Sequence, residues 1–305
     1  MGEPLGKLLE RTLELKHKKA KQRWFFGLVG VLFFIGVASI LYPSVSNLVA
    51  TLTAGTAIAN YDNDVKNMPK DTISDIFRQA EKFNSDLAGG VINREYEKCL
   101  NRNDGVMCYL EIPTINVYLP VYYGTSDEVL EKGCGYLENT SLPVGGKSTH
   151  SVISGHTGLP NAQMLTDLDR VKLGDVFYIH VLNRILAYRI DDIHSVLPDE
   201  TDRLGITRGE DYVTLLTCTP YGINDKRLLV RGTRIPYSPE EKTEEIRDTD
   251  LPSGKQGLDS DVIHQIVVIS IVVLVATAVF VFACLWVHNS RKNHKKNDNT
   301  EDKNG

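Results

Sequence analysis

Two stretches of the chain carry no charge: Trp24–Pro43 and Ile266–Val287. Each is about 20 residues long, enough for a helix at about 1.5 Å rise per residue to cross a ~30 Å hydrocarbon core. Both are expected to be transmembrane helices, with the second span taken as 262–287. Between them the pattern changes twice. From Tyr42 to about Asn103 it is helical, and after a cap expected at Asp71-Thr72 the residues Ile73, Ile76, Phe77, Ala80, Phe83 and Leu87 recur at three-to-four spacing until Gly89-Gly90 stops the run. This predicts an amphipathic helix lying against a larger domain.

From Met107 the texture becomes short β-like runs divided by turn residues: Cys108–Ile112, Val117–Tyr122, Ser151–Ser154, Asp175–His180, Ile185–Ile190, Tyr212–Thr217 and Arg227–Arg234. So many short strands predict one mainly β domain, a barrel or a sandwich. The polar stretch from Ser238 to Ser260 reads as a linker. The expected organisation is a basic tail at 1–23, a membrane span at 24–43, a helical extension at 44–104, the β domain at 105–237, a linker at 238–261, a second span at 262–287 and a basic tail at 288–305.

Charge fixes an expected orientation. Seven Lys and Arg residues precede the first apolar run, from Lys7 to Arg23, and Arg291, Lys292, Lys295 and Lys296 follow the second. Basic flanks stay on the cytoplasmic side, so both termini are expected inside and roughly 44–261 outside. An Ala57-Ile58-Ala59 pattern lies well past the first run, which favours an uncleaved anchor over a signal peptide. The net charge of −5 gives no reason to expect nucleic acid as a partner, while the terminal basic clusters can contact anionic membrane lipid. Of five cysteines, Cys284 falls in the second apolar run, and the other four lack the spacing of a disulfide framework or a zinc site, although a Cys99–Cys108 bridge is conceivable.

The densest chemistry lies in Tyr212–Arg234. A β-branched strand ends at Cys218, Pro220-Tyr221-Gly222 marks a turn, and a returning strand carries Arg227. A hairpin centred near Gly222–Ile223 sets Cys218 across from Arg227 and Arg231 across from Thr214, roughly 13 Å away at 3.3 Å per residue. A guanidinium beside a strand-end thiol stabilises its thiolate. His156 lies in a glycine-flanked turn after Val152–Ser154, and Cys with His is the minimal pair for thiol acyl transfer. Taken singly, a strand-end Cys is also a small buried hydrophobe and a turn His a surface residue. No spacing rule joins two residues 62 apart, so these readings stay open on the residues alone.

TLLTC at 214–218, Arg227 nine residues on and SGHTG at 154–158 resemble the sortase family of Gram-positive surface transpeptidases. The segments TCTPYGIN-x-x-RLLVRG-x-RIPY (217–237), LPVGGKSTH-x-V-x-SGH-x-GLP (142–160), KLGDVFYIHVL (172–182) and NDGVM (103–107) are similar to its pilus-assembling class C branch. The resemblance implies an eight-stranded sortase-type β-barrel with short helices that cleaves Leu-Pro-x-Thr-Gly-type sorting signals between Thr and Gly. It implies Cys218 as the nucleophile, His156 as the acid/base and Arg227 as the substrate-positioning or oxyanion-stabilising group, with no metal and no cofactor. The implied partners are pilins or surface proteins bearing the signal, and the acceptor amine is a pilin lysine or, as an alternative, a peptidoglycan precursor. A non-catalytic, membrane-tethered adhesion domain is the remaining alternative. Class C enzymes usually carry an Asp-Pro-aromatic lid motif, but the only proline between 44 and 106 is Pro69, followed by Lys70. Either the lid is missing, or Asn93–Cys99 folds over the site with another anchor, for which Tyr96 is the candidate.

Overall fold

The computed structural model describes residues 5–102, 105–159, 162–237, 264 and 266–283; for 5–23, 25 and 26 it describes the backbone alone. The linker at 238–261, the tail at 288–305 and Cys284 lie outside the described residues. The chain divides into two compact units, one formed by 1–45 with 263–305 and the other by 46–262.

In the first unit, α5 (Ile266–Ala283) and the early part of α1 (Leu5–Asn67) are long and apolar enough to cross a membrane. The Phe280 ring stacks on Phe33 at 5.7 Å between centroids and lies against Gly30, where a Cβ would stand 3.1 Å from it. Helix α1 runs 63 residues without a break, so the basic tail, the apolar run and the start of the extension share one helix.

In the second unit, α2 (Lys70–Ala88) buries the predicted stripe of Ile73, Ile76, Phe77, Ala80 and Phe83, with Leu87 packed at its edge. Its start differs from expectation. The helix begins at Lys70 with Pro69 at the N-cap position, and no side chain caps it, because the proline ring carries no acceptor for the first-turn amides. Two cross-links tie these helices to the strands. Tyr61 Oη donates to the Met107 carbonyl (3.0 Å) and accepts from the Leu182 amide (2.7 Å). Asn84 pairs with the backbone of Leu142 in both directions, at 3.0 and 2.7 Å, satisfying two buried groups that no strand reaches.

The strands are β1 (Val106–Ile112), β2 (Val117–Tyr123), β3 (Cys134–Tyr136), β4 (Thr149–Ser154), β5 (Val176–Val181), β6 (Arg184–Val196), β7 (Asp211–Thr219) and β8 (Lys226–Ile235). Short helices α3 (Arg94–Glu97) and α4 (Asp127–Leu130) complete the unit. The eight strands close in the order β1-β2-β3-β4-β7-β8-β6-β5. The barrel is mixed: β2 with β3 and β4 with β7 are parallel, and the other pairs are antiparallel. The predicted eight-stranded barrel is therefore present, and its core is shared with the helices, since Ile58, Phe77 and Phe83 belong to the same cluster as Leu110, Ile153 and Val230.

Candidate active site

Cys218 and Arg227 face each other in the β7–β8 register, and Thr214 faces Arg231, as the hairpin geometry predicts. Directly opposed residues on an antiparallel pair project to the same side, with Cβ atoms about 5 Å apart. His156 reaches the same level by a different route. Strand β4 runs parallel to β7 with Ser154 beside Leu216, so two further residues lead to His156 on one and Cys218 on the other. Side chains extend this pairing past the last rung. The Gly155 amide donates to the Leu216 carbonyl (3.0 Å), Thr217 Oγ1 donates to the Gly155 carbonyl (2.7 Å), and the Thr157 and Thr217 hydroxyls bond to each other.

The turn holding His156 is itself closed. The Leu165 amide donates to the His156 carbonyl (3.0 Å) and the Gly158 amide to Thr166 Oγ1 (3.1 Å). Gly155 has to be glycine, because a Cβ there would stand 2.7 Å from Leu165 and 3.3 Å from Cys134 Sγ. From outside the turn, Asn47 Oδ1 accepts from the Gln163 amide at 3.0 Å, linking α1 to it.

The three candidate groups share one property. Cys218, His156 and Arg227 are all half-buried, and among the described residues neither the thiol nor the imidazole has a hydrogen-bonding partner. Arg227 Nη1 donates only to backbone carbonyls, Asn224 at 3.3 Å and Lys226 at 3.1 Å, and pairs with no carboxylate among the described residues. Its neighbours on β8 are committed. Arg231 makes a two-pronged ion pair with Asp191 (both 3.0 Å) over the Tyr212 ring, and Arg234 lies 3.7 Å from Asp211.

Cys99, Cys108 and Cys134 are free, so the conceivable Cys99–Cys108 bridge is not formed. Burial pushes Cys99 and Cys134 up to about 12 and raises Cys108 further, so none is a nucleophile near neutral pH. A cleft of about 560 Å³ lies elsewhere on the barrel and includes Glu81, Arg184, Asp211 and Arg234. Its cations are spent on Glu81, Asp211 and the Phe77 and Tyr188 rings, so it is scaffold.

The cover expected from Asn93–Cys99 docks elsewhere. Glu97 accepts from the Asn139 amide (3.0 Å), Lys98 lies over the Tyr123 ring, and Tyr96 packs against the core. Asn139 lies between the Leu137–Val152 and Ser141–His150 bonds, about five strand residues or ~16 Å short of His156. Tyr96 therefore does not plug the Cys218 end. Sequence reasoning took Tyr221 only as a turn marker and passed over Thr157 and Thr217, whose role depends on a pairing between segments 60 residues apart.

With this geometry in place, residues 110–235 match the sortase domain family. Sortase A of Staphylococcus aureus is 30% identical over 219 residues, covering 68% of this chain and 95% of that relative. The chain belongs to the sortase family. Its relatives in that family are cysteine transpeptidases. Among solved structures, sortase C of Clostridium perfringens with the C-terminal cell wall sorting motif is 50% identical, with a TM-score of 0.57, covering 60% of this chain and 99% of that one. A Streptococcus pneumoniae sortase C whose structure bears on pilin substrate specificity is 45% identical, with a TM-score of 0.56 and coverage of 60% and 99%. The class C resemblance read from the motifs is thus matched by class C structural neighbours, and a non-catalytic adhesion domain is set aside.

Proposed function

We propose that this sortase cleaves Leu-Pro-x-Thr-Gly-type signals between Thr and Gly and passes the acyl group to a pilin lysine. The observation carrying this reading is the register that brings His156, two residues past the end of β4, level with Cys218 on β7 and Arg227 on β8, with Arg227 bonded only to backbone carbonyls. The Cys218 thiolate attacks the threonine carbonyl carbon, forming the C–S bond, and Arg227 donates to the oxygen that becomes negative. As the intermediate collapses, the Thr–Gly C–N bond breaks and the glycine nitrogen takes a proton from the His156 imidazolium. A lysine amine then attacks the thioester, His156 removes its proton, and the C–S bond breaks to return the thiolate. The product is an isopeptide bond between substrate proteins.

The pilin acceptor is supported by the class C neighbours at 45–50% identity. The alternative acceptor, a peptidoglycan amine, is favoured by the likeness to sortase A of Staphylococcus aureus. The basic flanks support an arrangement with both termini in the cytoplasm and the barrel outside, where signal-bearing proteins emerge.

The test uses the full chain in detergent micelles with a labelled Leu-Pro-x-Thr-Gly-type peptide. A mass shift equal to the acyl fragment on wild type, absent from Cys218→Ala, is expected; no adduct under any condition refutes the thioacyl reading. Competing purified pilin against a peptidoglycan-like amine then decides the acceptor, and preferential transfer to the cell-wall amine would overturn the pilin assignment.

A further inference from the structure

The turn that carries His156 ends at Gly158, which has a φ of +77°, a backbone setting that costs glycine little and other residues more. A Cβ built there would meet ring atoms of Tyr221 at 3.2, 3.5 and 3.7 Å. The Tyr221 ring therefore lies against the open side of Gly158. Gly158 is two residues past His156, and Tyr221 is three residues past Cys218, in the loop between β7 and β8. That loop is a defined platform, since the Ile223 and Asn224 amides both donate to the Pro220 carbonyl, at 3.1 and 2.9 Å. The ring is 67% exposed, so core packing does not account for its place.

The geometry points to Tyr221 as a positioning residue that braces the His156 turn against the Cys218 loop. The inference rests on Cys218 and His156 acting as the catalytic pair. The Thr157–Thr217 and Thr217–Gly155 bonds fasten the turn to β7, and the Leu165–His156 and Gly158–Thr166 bonds close it on the segment that follows. None of these bonds reaches the loop after Cys218, so they leave the spacing between the His156 turn and that loop to other contacts. The Tyr221–Gly158 contact spans that gap and holds the separation across which the proton passes. Only the ring is required, because the contact at Gly158 is made by ring carbons.

The experiment measures kcat, KM and the pH–rate profile of the full chain in micelles with the labelled peptide and an amine acceptor. Tyr221→Phe, Tyr221→Ala, Gly158→Ala and the Ala double variant are compared with wild type and Cys218→Ala. Tyr221→Phe retains wild-type kcat. Tyr221→Ala lowers kcat roughly 10- to 100-fold, since a displacement of about 1 Å costs up to about 10²-fold. Its KM and melting temperature stay near wild type, while the limb of the pH–rate profile set by the acid/base group moves. Gly158→Ala presses a methyl against the ring and also strains a backbone at φ +77°, so it lowers kcat together with some loss of melting temperature, and the double variant loses less kcat than the product of the two. The inference is overturned if Tyr221→Ala matches wild type, if KM rises with kcat held (making the ring a substrate contact), or if the loss follows a lowered melting temperature. A wild-type chain with no Cys218-dependent product brings down the catalytic reading and this inference together. An active wild type with an indifferent Tyr221→Ala sinks this inference alone.

Discussion

Strands β4 and β7 run side by side for six rungs, and the two ends of that pair treat the same residue types differently. At the lower end, His150 is 1% exposed and bonded at both ring nitrogens, to the Gly205 carbonyl at 2.9 Å and to Thr214 Oγ1 at 2.7 Å. Beside it Asp211 accepts from the Gly146 amide (2.8 Å), Tyr188 Oη (3.0 Å) and Thr149 Oγ1 (3.3 Å), and lies 3.7 Å from Arg234. At the upper end, the His156 ring and the Cys218 thiol lack such bonds among the described residues, and Arg227 meets only backbone oxygens. A saturated network lowers the energy of the fold and leaves nothing for a substrate. An unsaturated one at a half-open site keeps its donors and acceptors for the transition state.

The comparison breaks if the two histidines behave alike. His156→Ala is expected to cut turnover by roughly 10²- to 10⁴-fold with the melting temperature held. His150→Ala is expected to keep turnover per folded molecule and to lose about 2–3 kcal/mol of stability, through the cavity and the unpaired Thr214 and Gly205 groups. Peptide turnover and denaturant unfolding on the same preparations check both. Next in size, Asp211→Ala should cost about 1–2 kcal/mol, since it removes the acceptor of the part-buried Tyr188 hydroxyl and of the exposed Gly146 amide and leaves Arg234 without its carboxylate. Unfolding midpoints measure this. A turnover loss without unfolding would show that the lower end also takes part in chemistry.

Much of the lower end and of the hairpin was legible in the chain. Seven strands carry enough alternation or β-branching to be seen, and centring the hairpin on Gly222–Ile223 gives the Cys218–Arg227 register. The missed strand, β3, is three residues long and abuts Gly133, too short to show a period. It exists because β2 and β4 present free edges to it. Strand β6 runs six residues past its predicted end, through Asp191–Val196, where polar residues and a bulge at Ile190/Asp192 hide the pattern while pairing with β8 continues. The nearness of His156 to Cys218 could not be deduced from spacing, because it follows from parallel pairing across a long crossover; only the motif resemblance supplied it. Tyr221 and Asn47 were invisible for the same reason, each acting through one contact made in space.

The arginines of β8 sharpen the comparison at intermediate size. Arg227→Lys should lower kcat about 10- to 100-fold, because a point-like ammonium on a flexible stem replaces a planar fork at the developing oxyanion. Arg231→Lys should leave kcat alone and cost about 1 kcal/mol at most, since its pair with Asp191 is about a third exposed and partly screened. Steady-state kinetics with unfolding curves separate the two. Equal kinetic penalties would remove the distinction between a free and a committed guanidinium.

The smallest expected effect is a pH dependence confined to the lower end. Burial holds the His150 imidazole below its ordinary value near 6.5, and the Arg231 charge pushes the same way, while the bond to the Gly205 carbonyl and the charge of Asp191 push back. The folded state therefore binds a proton at His150 less readily than the unfolded chain does. Stability from this group is complete above about pH 6.5 and drains away as pH falls through the lowered value, because the unfolded state then holds the extra proton. The measurement is the melting temperature from pH 7.5 to 5, taken as the difference between wild type and His150→Phe so that shared groups cancel. Wild type should lose its advantage over the variant toward the acid end. A difference that stays flat, or that grows as pH falls, would mean that His150 is charged in the folded barrel and that the lower end is not the neutral, saturated network its hydrogen bonds describe.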